Sequence, residues 1–261
     1  MKKTFFLFVL AACLFSSCDK NNNEEILADL FFGDAGGSSQ KPQKESDPLS
    51  EGLVAYYPFE GNANDESGHK LNGKVFGNVY STEGHKNESQ CVYFLNTPPG
   101  TLGGNEGYIS VPFSNKLKLD EWTINLWFYY EDKKEKNEIF MRMGDEETPG
   151  SIFIQKFRTA IVNTSGEFQF CTFYEDESEP SPSEWHMLTS QVKGKTFTLY
   201  LDGVLMSSEN LSAEYKNQVS SDLYFGGSAS SYYYKYNGCL DDVRIYNRIL
   251  SESEIKQLYS M

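Results

Sequence analysis

The stretch Tyr232-Tyr233-Tyr234-Lys235-Tyr236-Asn237 joins aromatic faces to planar polar groups. Those are the two ingredients of a site that holds a sugar ring by its C–H face and its hydroxyls. A second set is Trp127 and Tyr129 with Asn125, which share one side of residues 122–130 when that stretch is extended. Ordinary packing would use the same residue types, and Trp185 is read as a packing residue. A third feature lies near the C-terminus, where Cys239, Asp241, Val243 and Ile245 alternate onto one predicted face. Asp241 is therefore expected to point the same way as apolar core residues, and an isolated buried carboxylate is costly. Two partners would relieve it. One is calcium, a hard cation that takes about six to eight oxygen ligands; the other is a set of backbone hydrogen bonds from the turn at residues 61–68.

Hydrolysis of a glycosidic bond calls for two carboxylates flanking it at a set separation. Glu175-Asp176-Glu177-Ser178-Glu179 has the charge but runs into Pro180-Ser181-Pro182, so it reads as a solvated loop. Glu131-Asp132-Lys133-Lys134-Glu135-Lys136 reads the same way. His69, His85 and His186 stand in unlike contexts, without the spacing of a zinc site. Neither a Gly-x-Ser-x-Gly elbow nor a phosphate loop is present. The residues display no catalytic apparatus.

Positioning these groups falls to short alternating or aromatic runs separated by Gly, Pro, Asn and Asp, an all-β pattern. Strands are predicted at residues 53–59, 92–95, 108–111, 122–130, 152–155, 167–174, 185–192, 196–201, 223–226 and 239–246. In the fourth of these Ile124, Leu126 and Phe128 read as core. Phe197, Leu199 and Leu201 point inward before Asp202-Gly203 turns the chain back into Val204-Leu205-Met206. A short helix closes the chain: Ser251 caps it, Glu254 reaches back, and Leu250 staples onto Ile255. About ten strands in this length suit one two-sheet sandwich.

The chain opens with Met1-Lys2-Lys3 and a compact apolar run, the pattern of a signal peptide. Cys13 and Cys18 both resemble lipid-acceptor positions, and Cys18 is favoured because the chain turns polar directly after it. Residues 1–17 are thus expected as a lipoprotein signal, 18–50 as a flexible tether with an apolar island at residues 26–32, and 51–261 as the folded domain. More than one acyl chain gives a stable anchor, so membrane contact is expected only through that lipid. Loss of Lys2 and Lys3 with the signal takes the net charge from −14 to −16. So acidic a protein argues against nucleic acid as a partner. Cys91, Cys171 and Cys239 allow at most one disulfide in the domain, and Cys91 with Cys239 is the pairing favoured.

Four segments carry a family resemblance. Tyr57-Pro58-Phe59-Glu60-Gly61-Asn62-Ala63-Asn64-Asp65-Glu66-Ser67-Gly68 resembles the opening of the laminin G-like, concanavalin A-like jelly-roll domains. Trp122-Thr123-Ile124-Asn125-Leu126-Trp127-Phe128 resembles their next signature, as does Trp185-His186-Met187-Leu188 with Leu199-Tyr200-Leu201-Asp202-Gly203. The close is similar too, at Gly238-Cys239-Leu240-Asp241-Asp242-Val243-Arg244-Ile245-Tyr246-Asn247-Arg248. The resemblance covers residue 51 to the end, in the family's order. It implies two antiparallel sheets packed face to face, with the first strand beside the last. That pairing would bring Glu60, Asn62 and Asp65 near Asp241, where relatives often hold one structural calcium. Where many relatives carry Phe-Asp-Gly, this chain has Phe94-Leu95-Asn96. The expectation is a non-catalytic, surface-exposed, outer-membrane lipoprotein that binds a polysaccharide or glycoconjugate. A protein-binding adhesion module serving other cell-surface proteins and a divergent hydrolase or lyase are the alternatives.

Overall fold

A computed structural model describes residues 48–96, 107–131, 138–172, 180–227 and 235–261. Cys18, the tether up to residue 47, residues 175–179 and Tyr232, Tyr233 and Tyr234 lie outside these. In chain order the strands are β1 (Leu53–Tyr57), β2 (Lys74–Phe76), β3 (Val79–Glu83), β4 (Gln90–Phe94), β5 (Tyr108–Val111), β6 (Glu121–Tyr129), β7 (Ile139–Met143) and β8 (Ile152–Gln155). They continue with β9 (Arg158–Val162), β10 (Phe168–Thr172), β11 (Trp185–Lys193), β12 (Thr196–Leu201), β13 (Val204–Asn210), β14 (Leu223–Phe225) and β15 (Gly238–Tyr246), followed by the helix α1 (Glu252–Ser260).

These strands build a two-sheet antiparallel jelly roll. One sheet has eight strands in the order β13-β12-β11-β6-β15-β4-β3, with β1 also paired to β15, and the other has seven in the order β10-β9-β8-β7-β14-β5-β2. The first strand does lie beside the last, with Tyr56 opposite Arg244 and Tyr57 opposite Val243. Strands β2, β3, β7 and β9 had no counterpart in the sequence reading. Two of them, β2 and β3, are edge strands whose residues are almost all exposed, so no apolar alternation marks them.

The core between the sheets takes alternate residues of each strand. From β6 it receives Trp122, Ile124, Leu126 and Phe128, and from β12 Phe197, Leu199 and Leu201, as the alternation predicts. The turn between β12 and β13 puts Asp202 at φ 50° and Gly203 at φ 77°, the left-handed pair a two-residue hairpin requires.

At β15 the alternation misleads. Asp241 pairs with Trp127 but Arg244 pairs with Asn125, so the strand gains one residue over β6, and Asp242 sits at φ 46°. This bulge shifts the phase of the strand. Leu240, Val243 and Ile245 enter the core, while Cys239 and Asp241 turn to the outer face of the eight-stranded sheet. The expectation that Asp241 points into the core with Val243 and Ile245 is thereby corrected. The bulge also marks where β15 exchanges β4, its partner up to Leu240, for β1.

The helix α1 packs on that outer face. Ser251 and Glu254 form the reciprocal capping box, and Leu250, Ile255 and Leu258 bury themselves with Trp127, Met187, Tyr200 and Tyr246. The approach is fixed by polar contacts, since Gln191 Nε2 donates to the Leu250 carbonyl at 2.9 Å and Thr123 Oγ1 to that of Arg248 at 2.7 Å. The helix therefore hides part of the sheet face and leaves the rest open.

Candidate functional site

The open part of that face carries one row of aromatic side chains. Backbone pairing sets Tyr80 of β3 opposite Tyr93 of β4, Tyr93 opposite Cys239 of β15, Cys239 opposite Tyr129 of β6, and Tyr129 opposite Trp185 of β11. Directly opposed residues project to the same side of a sheet. Five strands at about 4.8 Å spacing give the row a length of roughly 19 Å. Tyr80 is 53% exposed; Tyr93, Tyr129 and Trp185 are half-buried, and Cys239 forms a small, buried floor between them. The rings of Tyr129 and Trp185 lie 5.7 Å apart. Burial, then the charge of Glu131, pushes the Tyr93 phenol up, so it stays a neutral hydroxyl donor.

Behind the row lies a layer that holds it in place. Trp127 is buried, stacked on His85 at 4.3 Å on one side and on Tyr259 of α1 at 5.6 Å on the other. It is a support, and not the open platform that its side of the strand led us to expect. Asn125 is fully buried and donates to Thr189 Oγ1 at 2.7 Å. Trp185 packs against the cluster under α1, as its sequence reading expects, and also stands in the row, where it touches His85 edge-on at 5.9 Å.

His85 occupies the connection between β3 and β4. Its Nδ1 lies 2.7 Å from Asp241 Oδ2, which also accepts the His85 backbone N–H at 3.1 Å, and its Nε2 lies 3.5 Å from Asp242 Oδ2. The preceding Gly84 is required by close approach: a Cβ there would stand 2.4 Å from Ser89 Oγ and 2.7 Å from Asp241 Oδ2. Asp242 is the second centre of this layer. It receives Tyr56 OH and Lys86 Nζ, each at 2.5 Å, and Arg244 Nη2 at 3.4 Å, with the Arg244 guanidinium 4.1 Å from the centre of the Tyr56 ring. Burial opposes the charge on Asp242, but Arg244, Lys86 and the Tyr56 hydroxyl outweigh it and hold the carboxyl below the usual range. Nothing in the sequence marks His85 as the partner of Asp241, because the contact spans 156 residues.

The other expected site residues lie apart from the row or beneath it. Tyr236 is fully buried and donates its hydroxyl to the carbonyls of Tyr129 at 2.6 Å and Cys239 at 3.0 Å, so it braces β6 against β15. Asn237 is exposed, with its N–H donating to Glu138 Oε1 at 3.1 Å. Asn96 donates to the Tyr236 carbonyl at 2.7 Å and accepts the Gly107 N–H at 2.8 Å.

The four residues expected around calcium each have protein partners. Asp65 spends one oxygen on the N–H groups of Tyr56 and Ser67 and the other on that of Leu71. Burial raises its pKa, but those donors with the Ser67 hydroxyl outweigh it and keep the carboxyl low. Glu60 accepts the Gln90 N–H at 3.0 Å, Asn62 closes its own turn through Asn64, and Asp241 is engaged by His85. Among the described residues no three His, Cys, Asp or Glu side chains gather closely enough to hold a metal.

A second histidine and carboxylate pair ties the β12–β13 turn to β11. His186 Nδ1 lies 2.8 Å from Asp202 Oδ2 and Nε2 lies 3.1 Å from the Ser181 carbonyl, so both ring nitrogens face acceptors. Burial lowers the His186 pKa, but Asp202 and then the Ser181 carbonyl more than compensate and raise it. A raised histidine stabilises the fold fully below its unfolded pKa of about 6.5, and that contribution disappears as pH climbs through the folded value. Urea unfolding is therefore expected to show stability falling as pH rises above about 6.5, with a flatter profile in His186→Asn. Parallel profiles for the two proteins would contradict this.

The fold and its exposed aromatic row define a jelly-roll domain built around a sheet-face surface. The chain belongs to the concanavalin A-like lectin/glucanases superfamily, whose family model matches residues 103–256, more than half of its length. No curated protein sequence matches it. Among solved structures it is similar to domain 4 of AbnA, a GH43 extracellular arabinanase from Geobacillus stearothermophilus in complex with arabinotriose. That match has a TM-score of 0.60 at 15% identity and covers 79% of this chain and 98% of that one. It is also similar to the binding domain of botulinum neurotoxin DC in complex with SialylT, with TM-score 0.60, 16% identity, and 81% and 51% coverage. The binding domain of Paraclostridial Mosquitocidal Protein 1 has TM-score 0.60, 20% identity, and 81% and 52% coverage. The chain spans about half the length of the two toxin domains. At these identities the likeness is one of fold.

Proposed function

We propose that this domain is a non-catalytic carbohydrate-binding module, displayed on the cell surface by a lipid on Cys18. The observation that carries the reading is the aromatic row Tyr80, Tyr93, Tyr129 and Trp185, set across five neighbouring strands. An aromatic face packs against the C–H face of a sugar ring, and the phenol hydroxyls serve the ring's own hydroxyls. A row of this length takes a run of several sugars, which suits a polysaccharide better than a monosaccharide. Asp241 and Asp242, behind the row, are committed to His85, Lys86, Arg244 and Tyr56, and their work is to hold the surface rigid. The arabinotriose and SialylT complexes of the structurally similar domains support the same reading.

Affinity electrophoresis of the protein through gels containing a panel of neutral and acidic polysaccharides tests it. Retarded migration in at least one gel is expected; unretarded migration in all of them would contradict the proposal. For the anchor, the protein in a cell lysate should partition into detergent, and Cys18→Ala should return it to the aqueous phase. A variant that stays with the detergent would contradict lipidation at Cys18.

A further inference from the structure

At one side of the sandwich the two sheets leave the core open. Val75 of β2 stands opposite Ile109 of β5 and so belongs to the inner face of its sheet, yet it is 51% exposed while Ile109 is fully buried. The other sheet ends at β3. Val79 and Ser81 of β3 pair with the core residues Phe94 and Val92, and on this inner side lies a slot of about 220 Å³ lined by Phe59, Val75, Val79, Val92, Ile109 and Ser81. Its walls are largely apolar. Small-molecule pockets begin at roughly 300 Å³, so the slot suits a single apolar side chain.

The edge above the slot is open for pairing. Gly84 N–H donates to the Ser89 carbonyl at 3.0 Å and Leu95 N–H to that of Asn78 at 3.1 Å. Even-numbered residues of this stretch therefore face β4, and Ser81 turns its N–H and carbonyl away from the sheet. Among the described residues no strand pairs with β3 on that side. Edge strands are ordinarily blunted by lysine, proline or a bulge. Strand β3 has none of these, whereas β13, at the far edge of the same sheet, carries a register shift against β12. Side chains of a strand added at β3 would alternate between the two faces. Every second one would enter the gap between the sheets, where the slot lies.

We propose that the β3 edge is a binding site for an extended peptide segment of a partner protein, which pairs with Ser81 and sets an apolar side chain against Val75 in the slot. Main-chain hydrogen bonds supply the affinity, and the slot selects for an apolar residue at the inward position. A peptide strand is the occupant that answers both features. An acyl chain would fill the slot but leave the outward N–H and carbonyl of Ser81 without partners, and a sugar would meet those groups but bring no apolar side chain to Val75. The inference is independent of what the aromatic row binds, because the slot lies on the inner side of the sheet and the row on the outer.

Fluorescence anisotropy of the full chain in detergent tests this, with a labelled synthetic peptide of about six residues that alternates valine and threonine between lysine ends. Saturable binding is expected, and the same peptide carrying N-methyl groups along its backbone should not bind. Val75→Glu sets a charge against the seated side chain, and Ser81→Pro removes the outward donor at a position where an edge strand tolerates proline. Each should weaken binding at least about tenfold, while polysaccharide retards Val75→Glu as it does the native protein. Circular dichroism checks the fold of both variants, and should Ser81→Pro unfold, Val75→Glu decides alone. Absence of peptide binding, or binding that a folded variant leaves unchanged, would overturn the proposal. So would a dimer of the native chain that Ser81→Pro splits, since the edge would then belong to a second copy.

Discussion

Replacing Trp185 with Ala is expected to weaken polysaccharide binding at least about tenfold, equivalent to about 1.4 kcal/mol, without unfolding the domain. Its indole is half-buried at one end of the row, packed against Tyr129 and His85, so truncation removes contact surface and leaves the core between the sheets untouched. Tyr129→Ala should act in the same direction. Phe170 makes a control, because it is an aromatic, 42% exposed, on the other sheet. Phe170→Ala should bind as the native protein does. Affinity electrophoresis of the three variants measures the difference. Equal retardation of Trp185→Ala and the native protein would remove the row from the binding surface.

Asp242→Asn is expected to produce a large stability effect, a loss of roughly 3 kcal/mol, the scale for breaking a buried ion pair at one partner. The substitution keeps the side-chain volume and a residue type that tolerates φ 46°. It removes the charge that balances Arg244 and Lys86, and Arg244 is only 8% exposed. For a domain of this size that corresponds to a fall of about 6–12 °C in melting temperature, to be read by circular dichroism or calorimetry. A shift within about 2 °C, the scale of a change well below 1 kcal/mol, would show that the cluster contributes little. The pH dependence has a definite sign. A carboxylate depressed in the folded state stabilises above its unfolded pKa, and this stability is lost as pH falls through the folded value. Acid should therefore narrow the gap between the native protein and Asp242→Asn.

The sandwich was legible wherever one sheet face meets the core and the other does not. In β6 and β12 apolar residues at every second position state which side is inside, and the structure agrees residue by residue. The capping pair Ser251 and Glu254 is equally local and equally readable. Edge strands β2 and β3 were invisible because they bury little, and without β3 the position of Tyr80 opposite Tyr93 had no meaning. The bulge at Asp242 was invisible for a different reason. A single left-handed residue inverts the facing of everything on one side of it, and Asp is among the few types that accept that backbone without announcing it. The aromatic row is a product of register, drawing Tyr80 and Tyr93 from the β3–β4 pair and Tyr129 and Trp185 from strands far along the chain, with Cys239 of β15 between them. Trp127 shows the converse: its alternation was read correctly, but the helix that covers it packs from the far end of the chain.

The chain has three tryptophans, and the structure gives each a different exposure: Trp122 fully buried in the core, Trp127 enclosed by His85 and Tyr259, and Trp185 half-buried in the row. Their indole N–H resonances, followed by NMR during titration with a fragment of a polysaccharide that retards the protein, report directly on the proposed surface. The expected result is a saturable shift of the Trp185 resonance that exceeds any at Trp122 and vanishes in Trp185→Phe. A Trp185 resonance that stays still while the fragment binds would contradict the aromatic row as the site.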